Sequence, residues 1–373
     1  MQIIDKTYEG CAPLYPLDRI CDTNKALFID IETTGLKKET TDLYLIGCGY
    51  YVKEGFVTKL FFADDPSEEK ELLSVFYDFL KSFSYLIHFN GTKFDIPYLS
   101  YKADKYEMND YFKGMEQIDL YKLCAPLRYL LFPQSMRQKC IEDFLGIDRE
   151  DMYNGGELIE VYKDYVSNRR TEDLRLLITH NREDVLGMHL ITPILYYLDL
   201  KDATLYYRGY TINDYEDYNG NKCREAVFMY DTDASFPVSF AAKTETMYVK
   251  ASAKDKYIHI RLPIYHDDMK IFFENYRDYR YIPDEDRVIP VSLAACLPKD
   301  RYRKATKDNC YVRYEGDFIK QPSDIFTPVF KTAYKDKKKY FRFPESFDEK
   351  AAETFGRELI NIFFRMKRRP SAL

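Results

Sequence analysis

Tryptophan is absent from this sequence, histidine occurs only 5 times, and no apolar run approaches the roughly 18 residues that a membrane-spanning helix needs. The first residues, M-Q-I-I-D-K-T-Y-E-G, lack the basic, then apolar, then small-residue succession of an export signal. A cytoplasmic protein with no membrane partner is therefore expected. The eight cysteines (Cys11, Cys21, Cys48, Cys124, Cys140, Cys223, Cys296 and Cys310) include no C-x-x-C pair, and no histidine stands at zinc-finger spacing. That argues against a zinc site and for buried thiols in a reducing compartment. No internal repeat is visible.

What is present reads as folded protein. Hydrophobic residues make up 46% of the chain and charged residues 31%, and 373 residues are too many for one core, so two domains are expected. Residues 1–25 carry Pro13 and Pro16 with little periodicity and read as an irregular lead-in. Residues 26–200 mix strand and helix signals. Three β-like runs (from Ala26, 43–52 and 57–63) suggest a meander, and Asp65-Pro66-Ser67-Glu68 looks like the cap of a helix with Leu72, Leu73, Phe76 and Leu80 on one side. Ser135 reads as the cap of a helix ending at Gly146, Gly155-Gly156 as a turn, and Thr171 as the start of a long helical segment. Residues 201–373 turn to short alternating runs with turn formers between them, and read as an antiparallel β domain closed by one helix with Ser346 and Glu349 as its capping box.

The stretch A-L-F-I-D-I-E-T-T-G-L carries two carboxylates, Asp30 and Glu32, one residue apart. A strand alternates sides, so both point to one face, where they repel each other and lose hydration unless a cation or proton intervenes. A hard divalent ion is the usual remedy. A second apolar strand, 85–89, runs through Asn90-Gly91 into T-K-F-D-I-P-Y-L, which places Asp95 at a strand-to-helix junction on the carboxyl edge of a sheet. Far downstream, T-H-N-R-E-D-V-L sets His180 and Asp184 four apart, one turn above each other on a helix.

In this order the three motifs resemble those of the DEDD superfamily of 3′–5′ exonucleases on the ribonuclease H-like fold. More narrowly, residues 26 to 198 resemble the YprB-like ribonuclease H-like proteins, including I-D-L near Asp119 and the helix, G-G, helix passage around Gly156. The fold expected is thus α/β ribonuclease H-like, a mixed sheet flanked by helices, followed by a C-terminal β-rich domain with a terminal helix. One departure concerns the third motif. The tyrosine variant of the family carries Tyr four residues before the last Asp and the histidine variant carries His five before, whereas here His180 stands at minus four and Thr179 at minus five.

The resemblance implies two-metal hydrolysis of phosphodiesters with two divalent ions, Mg²⁺ or Mn²⁺. Asp30 would bridge both ions, Glu32 and Asp184 would complete one site, and Asp95 would reach the other, directly or through water. His180 would orient or deprotonate the water. Leu36 would wedge against the terminal base, the backbone N–H groups of Thr33 and Thr34 would hold the 3′ end, and Asn90 would fix the second motif. Lys93 and Arg182 would meet phosphates, and Tyr98 would offer a stacking platform. The partner implied is single-stranded nucleic acid, DNA slightly favoured over RNA; no protein partner is implied. An exoribonuclease of the RNase D kind and a catalytically silent nucleic-acid-binding module are the alternatives. Residues 331–373 carry 12 Lys and Arg against 6 Asp and Glu, so Lys335–Lys339 and Arg365–Arg369 are the candidate phosphate contacts of the C-terminal domain.

Overall fold

Six strands of the N-terminal region pair into one mixed sheet. They are β1 (Gln2–Glu9), β2 (Ala26–Thr33), β3 (Leu43–Val52), β4 (Gly55–Phe62), β5 (Tyr85–His88) and β6 (Glu116–Asp119), in the spatial order β1-β4-β3-β2-β5-β6. The expected meander is present, since β2, β3 and β4 pair antiparallel in sequence order, while β5 and β6 join parallel. The structure is a computed structural model and describes every residue except 133–134, 152, 154, 218 and 367–373.

Residues 1–25 are not the irregular segment expected. Their first third is β1, which pairs with β4 along its whole length. Most β1 side chains are exposed, as on a sheet edge, so the strand lacks the apolar alternation by which strands are read.

The sheet is covered on both faces. Leu27, Ile29 and Ile31 of β2 point to one side and share a core with Leu72, Phe76 and Leu80 of α1 (Glu69–Leu80) and Leu99 and Ala103 of α2 (Asp95–Lys105). Asp65 accepts a hydrogen bond from the Ser67 N–H, and Glu68 Oε2 accepts one from the Asp64 N–H, so the predicted cap precedes α1 through a short 3-10 turn. Two short helices follow β6, α3 (Leu120–Cys124) and α4 (Arg128–Leu131), and then α5 (Gln138–Leu145). The other face of the sheet packs Tyr44, Leu60 and Phe62 against Leu158 and Tyr162 of α6 (Gly155–Asn168) and Leu177 and Ile178 of α7 (Thr171–Leu190).

Three helix boundaries differ from expectation. The cap of α5 is Arg137 rather than Ser135, whose hydroxyl instead accepts from the Arg137 N–H; Gly146 closes that helix at φ +72° as read. Gly155 and Gly156 open α6 instead of turning before it. The last helix, described below, is capped by Asp348.

Residue contacts divide the chain into two compact units. The first takes Met1–Arg128, Phe132–Leu198 and Phe236–Val238; the second takes Tyr129–Leu131, Asp199–Ser235 and the described residues from Ser239 onward. The second unit is antiparallel throughout. Strands β7 (Leu205–Glu216), β8 (Lys222–Thr232), β9 (Phe240–Lys243), β10 (Tyr248–Ser252) and β11 (Tyr257–Pro263) form a sheet in the order β7-β8-β11-β10-β9. Two three-stranded sheets complete it. One joins β12 (Tyr265–Phe272), β16 (Tyr311–Gln321) and β17 (Lys339–Arg342); the other joins β13 (Tyr279–Ile282), β14 (Arg287–Pro290) and β15 (Arg303–Lys304), with the single turn α8 (Val291–Ala294) after β14. The closing helix is α9 (Glu349–Arg365), whose Asp348 side chain accepts from the Ala351 N–H. Phe355 of α9 packs against Phe228, Phe326 and Phe341. Among the described residues no helix is long and apolar enough to cross a membrane. Four of the eight cysteines are buried, three half-buried and Cys296 exposed, and all are free thiols.

Candidate active site

The face of β2 opposite the α1–α2 core carries Asp30 and Glu32, and α7 lies over it. Asn181 of α7 donates Nδ2–H to Asp30 Oδ2 at 2.8 Å, and His180 brings Nε2 to 3.3 Å from Glu32 Oε1 and to 3.3 Å from Asp184 Oδ2. The close approach depends on Gly47 of β3, which pairs with Asp30: a Cβ there would stand 1.9 Å from Asn181 Oδ1. The same buried Oδ1 has no hydrogen-bond partner.

Asp95 arrives at the start of α2. Its loop is held by Asp119 at the end of β6, which accepts from the Asn90 N–H at 2.9 Å and from the Thr92 hydroxyl at 2.7 Å. Asn90 takes a left-handed conformation there, φ +62°. The four motif carboxylates thus converge, and their electrostatics record it. Burial pushes Asp30 well above the ordinary carboxylate range, and the charges of Asp184, Asp95 and Glu32 add to the shift. Burial raises Asp95 to about 7, against the backbone N–H groups of Asp95 and Ile31. Glu32 is raised by burial too, opposed by the hydrogen bond and charge of His180. For His180 burial works towards the neutral ring, but the hydrogen bond with Glu32 and the charges of Glu32, Asp184 and Asp151 prevail and lift it to about 9.

Two groups that sequence reasoning missed complete the cluster. Asp151, buried, accepts from His180 Nδ1 at 2.7 Å. Arg149 donates Nη1–H to Asp184 Oδ1 at 2.6 Å and is itself gripped by both oxygens of buried Glu142 on α5. Gly187 makes room for that pair, since a Cβ on it would meet Glu142 Oε1 at 2.2 Å. The backbone N–H groups of Glu150 and Asp151 donate to Glu183, so residues 149–151 are clasped to α7 at three successive points. No periodicity marks this connection in the sequence. Gly47 and Gly49 did leave a signal, because glycine inside an apolar strand marks close approach by another element.

The peripheral residues divide. Leu36 is 84% exposed, free to meet a ligand. Lys93 is exposed and Arg182 half-buried, its Nε without a hydrogen-bond partner. Tyr98 is not a stacking platform: it is 1% exposed and shares a hydrogen bond with Thr41, because it lies on the inner face of α2. The Thr34 N–H donates to the Asp42 carbonyl at 2.8 Å and cannot also hold a 3′ end. Thr33 sits at the point where the β2–β3 register shifts, its hydroxyl donating to the Gly35 carbonyl.

The donor set fits a divalent cation. Burial and mutual repulsion hold Asp30, Glu32 and Asp95 above the ordinary carboxylate range, which a cation between them would relieve, and one oxygen or nitrogen each from Glu32, His180 and Asp184 lie within 4.8 Å of one another.

Residues 27–196 match the family model described as the RNase_H superfamily. The match spans just under half of the chain. No curated protein matches. Solved structures similar to the chain include a family B DNA polymerase from the archaeon Pyrobaculum calidifontis, at 16% identity and a TM-score of 0.38, covering 47% of this chain and 25% of the polymerase. They also include Escherichia coli exonuclease I, in a metal-free complex with single-stranded DNA (12% identity, TM-score 0.31, 55% of this chain and 53% of that one) and in a complex with an oligonucleotide (15%, 0.28, 56% and 54%). The chain therefore spans a quarter to about half of these proteins.

Proposed function

We propose that the first unit is a divalent-metal-dependent 3′–5′ exonuclease acting on single-stranded nucleic acid. The observation that carries the reading is the convergence of Asp30, Glu32, Asp95 and Asp184 from β2, α2 and α7 into one cluster in which burial and mutual repulsion raise the pKa of three. Divalent ions, Mg²⁺ or Mn²⁺ and two in number by the family resemblance, would supply charge neutralisation for the phosphate and activation of water when bound. Asp30 and Glu32 would hold the ions from β2, Asp95 from α2 and Asp184 from α7.

In the reaction a water oxygen bonds to the terminal phosphorus and the bond from phosphorus to the preceding 3′ oxygen breaks. The nucleoside 5′-monophosphate leaves, and the shortened strand keeps a 3′ hydroxyl. Leu36, standing clear of the surface after β2, is the residue we assign to the terminal base. Lys93 and Arg182 remain candidates for phosphate. Asn90 acts through its backbone, tied to Asp119, in keeping Asp95 in place.

The test takes 5′-labelled single-stranded DNA and RNA with Mg²⁺ or Mn²⁺ and compares the wild type with Asp30→Asn. A ladder shortening from the 3′ end, abolished by the substitution, is the expected result, and the polymer that is cut identifies the substrate. Binding of both polymers with no cleavage of either would overturn the proposal in favour of a silent binding module.

A further inference from the structure

His180 and Asp184 stand one turn apart on α7, so both reach the same space in front of Glu32. His180 Nε2 lies at 3.3 Å from an oxygen of each. Two ligands at right angles on an ion with bonds of roughly 2.0–2.2 Å are roughly 3 Å apart, so these separations need to contract by only a few tenths of an ångström.

What surrounds the trio prepares it. Asp151, itself buried, accepts the Nδ1 proton of His180, so the proton on Nε2 that faces the two carboxylates in the metal-free protein is the one an entering ion would displace, leaving the Nε2 lone pair to the ion. Metal-bound histidines commonly donate their other ring N–H to a carboxylate in this way. Arg149 occupies Oδ1 of Asp184 and leaves Oδ2 facing the trio, while Glu142 and the notch at Gly187 fix Arg149. A surface His–Asp pair would need none of these supports.

We propose that Glu32, His180 and Asp184 form a three-ligand site, one nitrogen and two oxygens, for a divalent first-row transition ion, with His180 bonded directly to the ion. Asp151 and Arg149 are its positioning residues. The inference deepens the metal-dependent reading above and rests on it for the function of the ion. It gives His180 a different task from the expected one of orienting or deprotonating the water. Imidazole nitrogen favours transition ions, whereas Mg²⁺ takes oxygen ligands and sheds water reluctantly, so the site discriminates against Mg²⁺.

The experiment uses the full chain stripped of metal and titrated with Mn²⁺, read by pulsed electron paramagnetic resonance for coupling to ¹⁴N. We expect imidazole coupling in the wild type and its loss in His180→Gln, with circular dichroism confirming that the variant is folded. His180→Asp, which restores an all-oxygen set, is the second variant. It should bind an ion without nitrogen coupling and narrow the Mn²⁺ to Mg²⁺ affinity ratio about tenfold or more. Asp151→Asn should keep the coupling but weaken Mn²⁺ binding by roughly 10- to 100-fold, the usual cost of losing such a partner. Mn²⁺ bound without ¹⁴N coupling, coupling that survives His180→Gln, or no Mn²⁺ binding at millimolar concentration would each overturn the inference. Cleavage without coupling would remove this site and leave the exonuclease. Coupling in a protein that cuts neither polymer would keep the site and remove the exonuclease.

Discussion

Asp95 and His180 make opposite kinds of contribution to stability, yet both give the metal-free protein the same pH slope. Asp95 titrates at about 7 in the fold against 3.8 ordinarily. Between those values the unfolded chain binds fewer protons than the native one, so stability falls as pH rises from about 4 to about 7. His180 titrates at about 9 against 6.5, and the stability from its ion pairs, complete below 6.5, is lost as pH climbs to about 9. Melts in EDTA at pH 5, 7 and 9 should show a falling Tm. Asp95→Asn should lessen the fall below pH 7, to which the raised Asp30 and Glu32 also contribute, and leave the fall due to His180 above it, and saturating Mn²⁺ should flatten both, since a ligand that binds only the native state stabilises it. Leu36→Ala tests a different property. The side chain is exposed, so Tm should stay within what about 0.5 kcal/mol allows while kcat/KM falls, and unchanged kinetics would remove Leu36 from the substrate site.

At the scale of elements, what decides the site is how closely α7 lies on β3. Gly47→Ala puts a methyl group where Asn181 Oδ1 now stands, so it should cost about 1–3 kcal/mol and lower activity by tilting His180 and Asp184 away from β2; denaturant unfolding and the strand-shortening assay measure the two effects. A second device pins the turn that carries Leu36. Buried Lys102 of α2 pairs with buried Glu69 of α1 at 2.6 Å and donates to the Thr41 carbonyl, while Glu69 accepts from the Leu43 N–H. Lys102→Met leaves Glu69 without its buried cation and should destabilise the fold by about 3–5 kcal/mol, as measured by urea unfolding. This face of α2 also explains a misreading. Nearness to the second motif makes Tyr98 the expected platform in the sequence, but it lies one turn before Lys102 on the inward face of α2, and both are buried. The strands β2 and β5 and the start of α7 were legible because apolar period and turn residues agree there, but the helical period continues to about Leu198, whereas α7 ends at Leu190 and residues 192–201 continue as a 3-10 helix. Strand β1 was not, because an edge is half solvated, and Arg149 and Asp151 were not, because their partners come from helices distant in sequence.

For the whole molecule, the change from mixed sheet and long helices to short antiparallel strands could be read directly, since β-branched and aromatic alternation replaces helical period. The role of the second unit could not, because an antiparallel sheet with one helix is compatible with many tasks. Lys335, Lys337 and Lys338 are exposed there, while Lys339 pairs with Asp324; of the Arg365–Arg369 segment, residues 367–369 lie outside the described residues. If these three exposed lysines meet phosphates, changing them to Gln should lower the slope of log affinity against log salt by about 2, at roughly 0.7 per contact on a single strand; fluorescence anisotropy with the Asp30→Asn protein measures it, and an equal slope would exclude the contact. The hydrogen bond from Asn181 to Asp30 joins residues 151 positions apart. That distance sets a schedule during synthesis. Most of the leading sheet can assemble while α7 is still inside the ribosome, with Asp30, Glu32 and Asp95 in place but His180 and Asp184 still missing from the cluster. If the first unit is the proposed nuclease, a half-made chain cannot yet cut, and the site is complete only after α7 has emerged and docked.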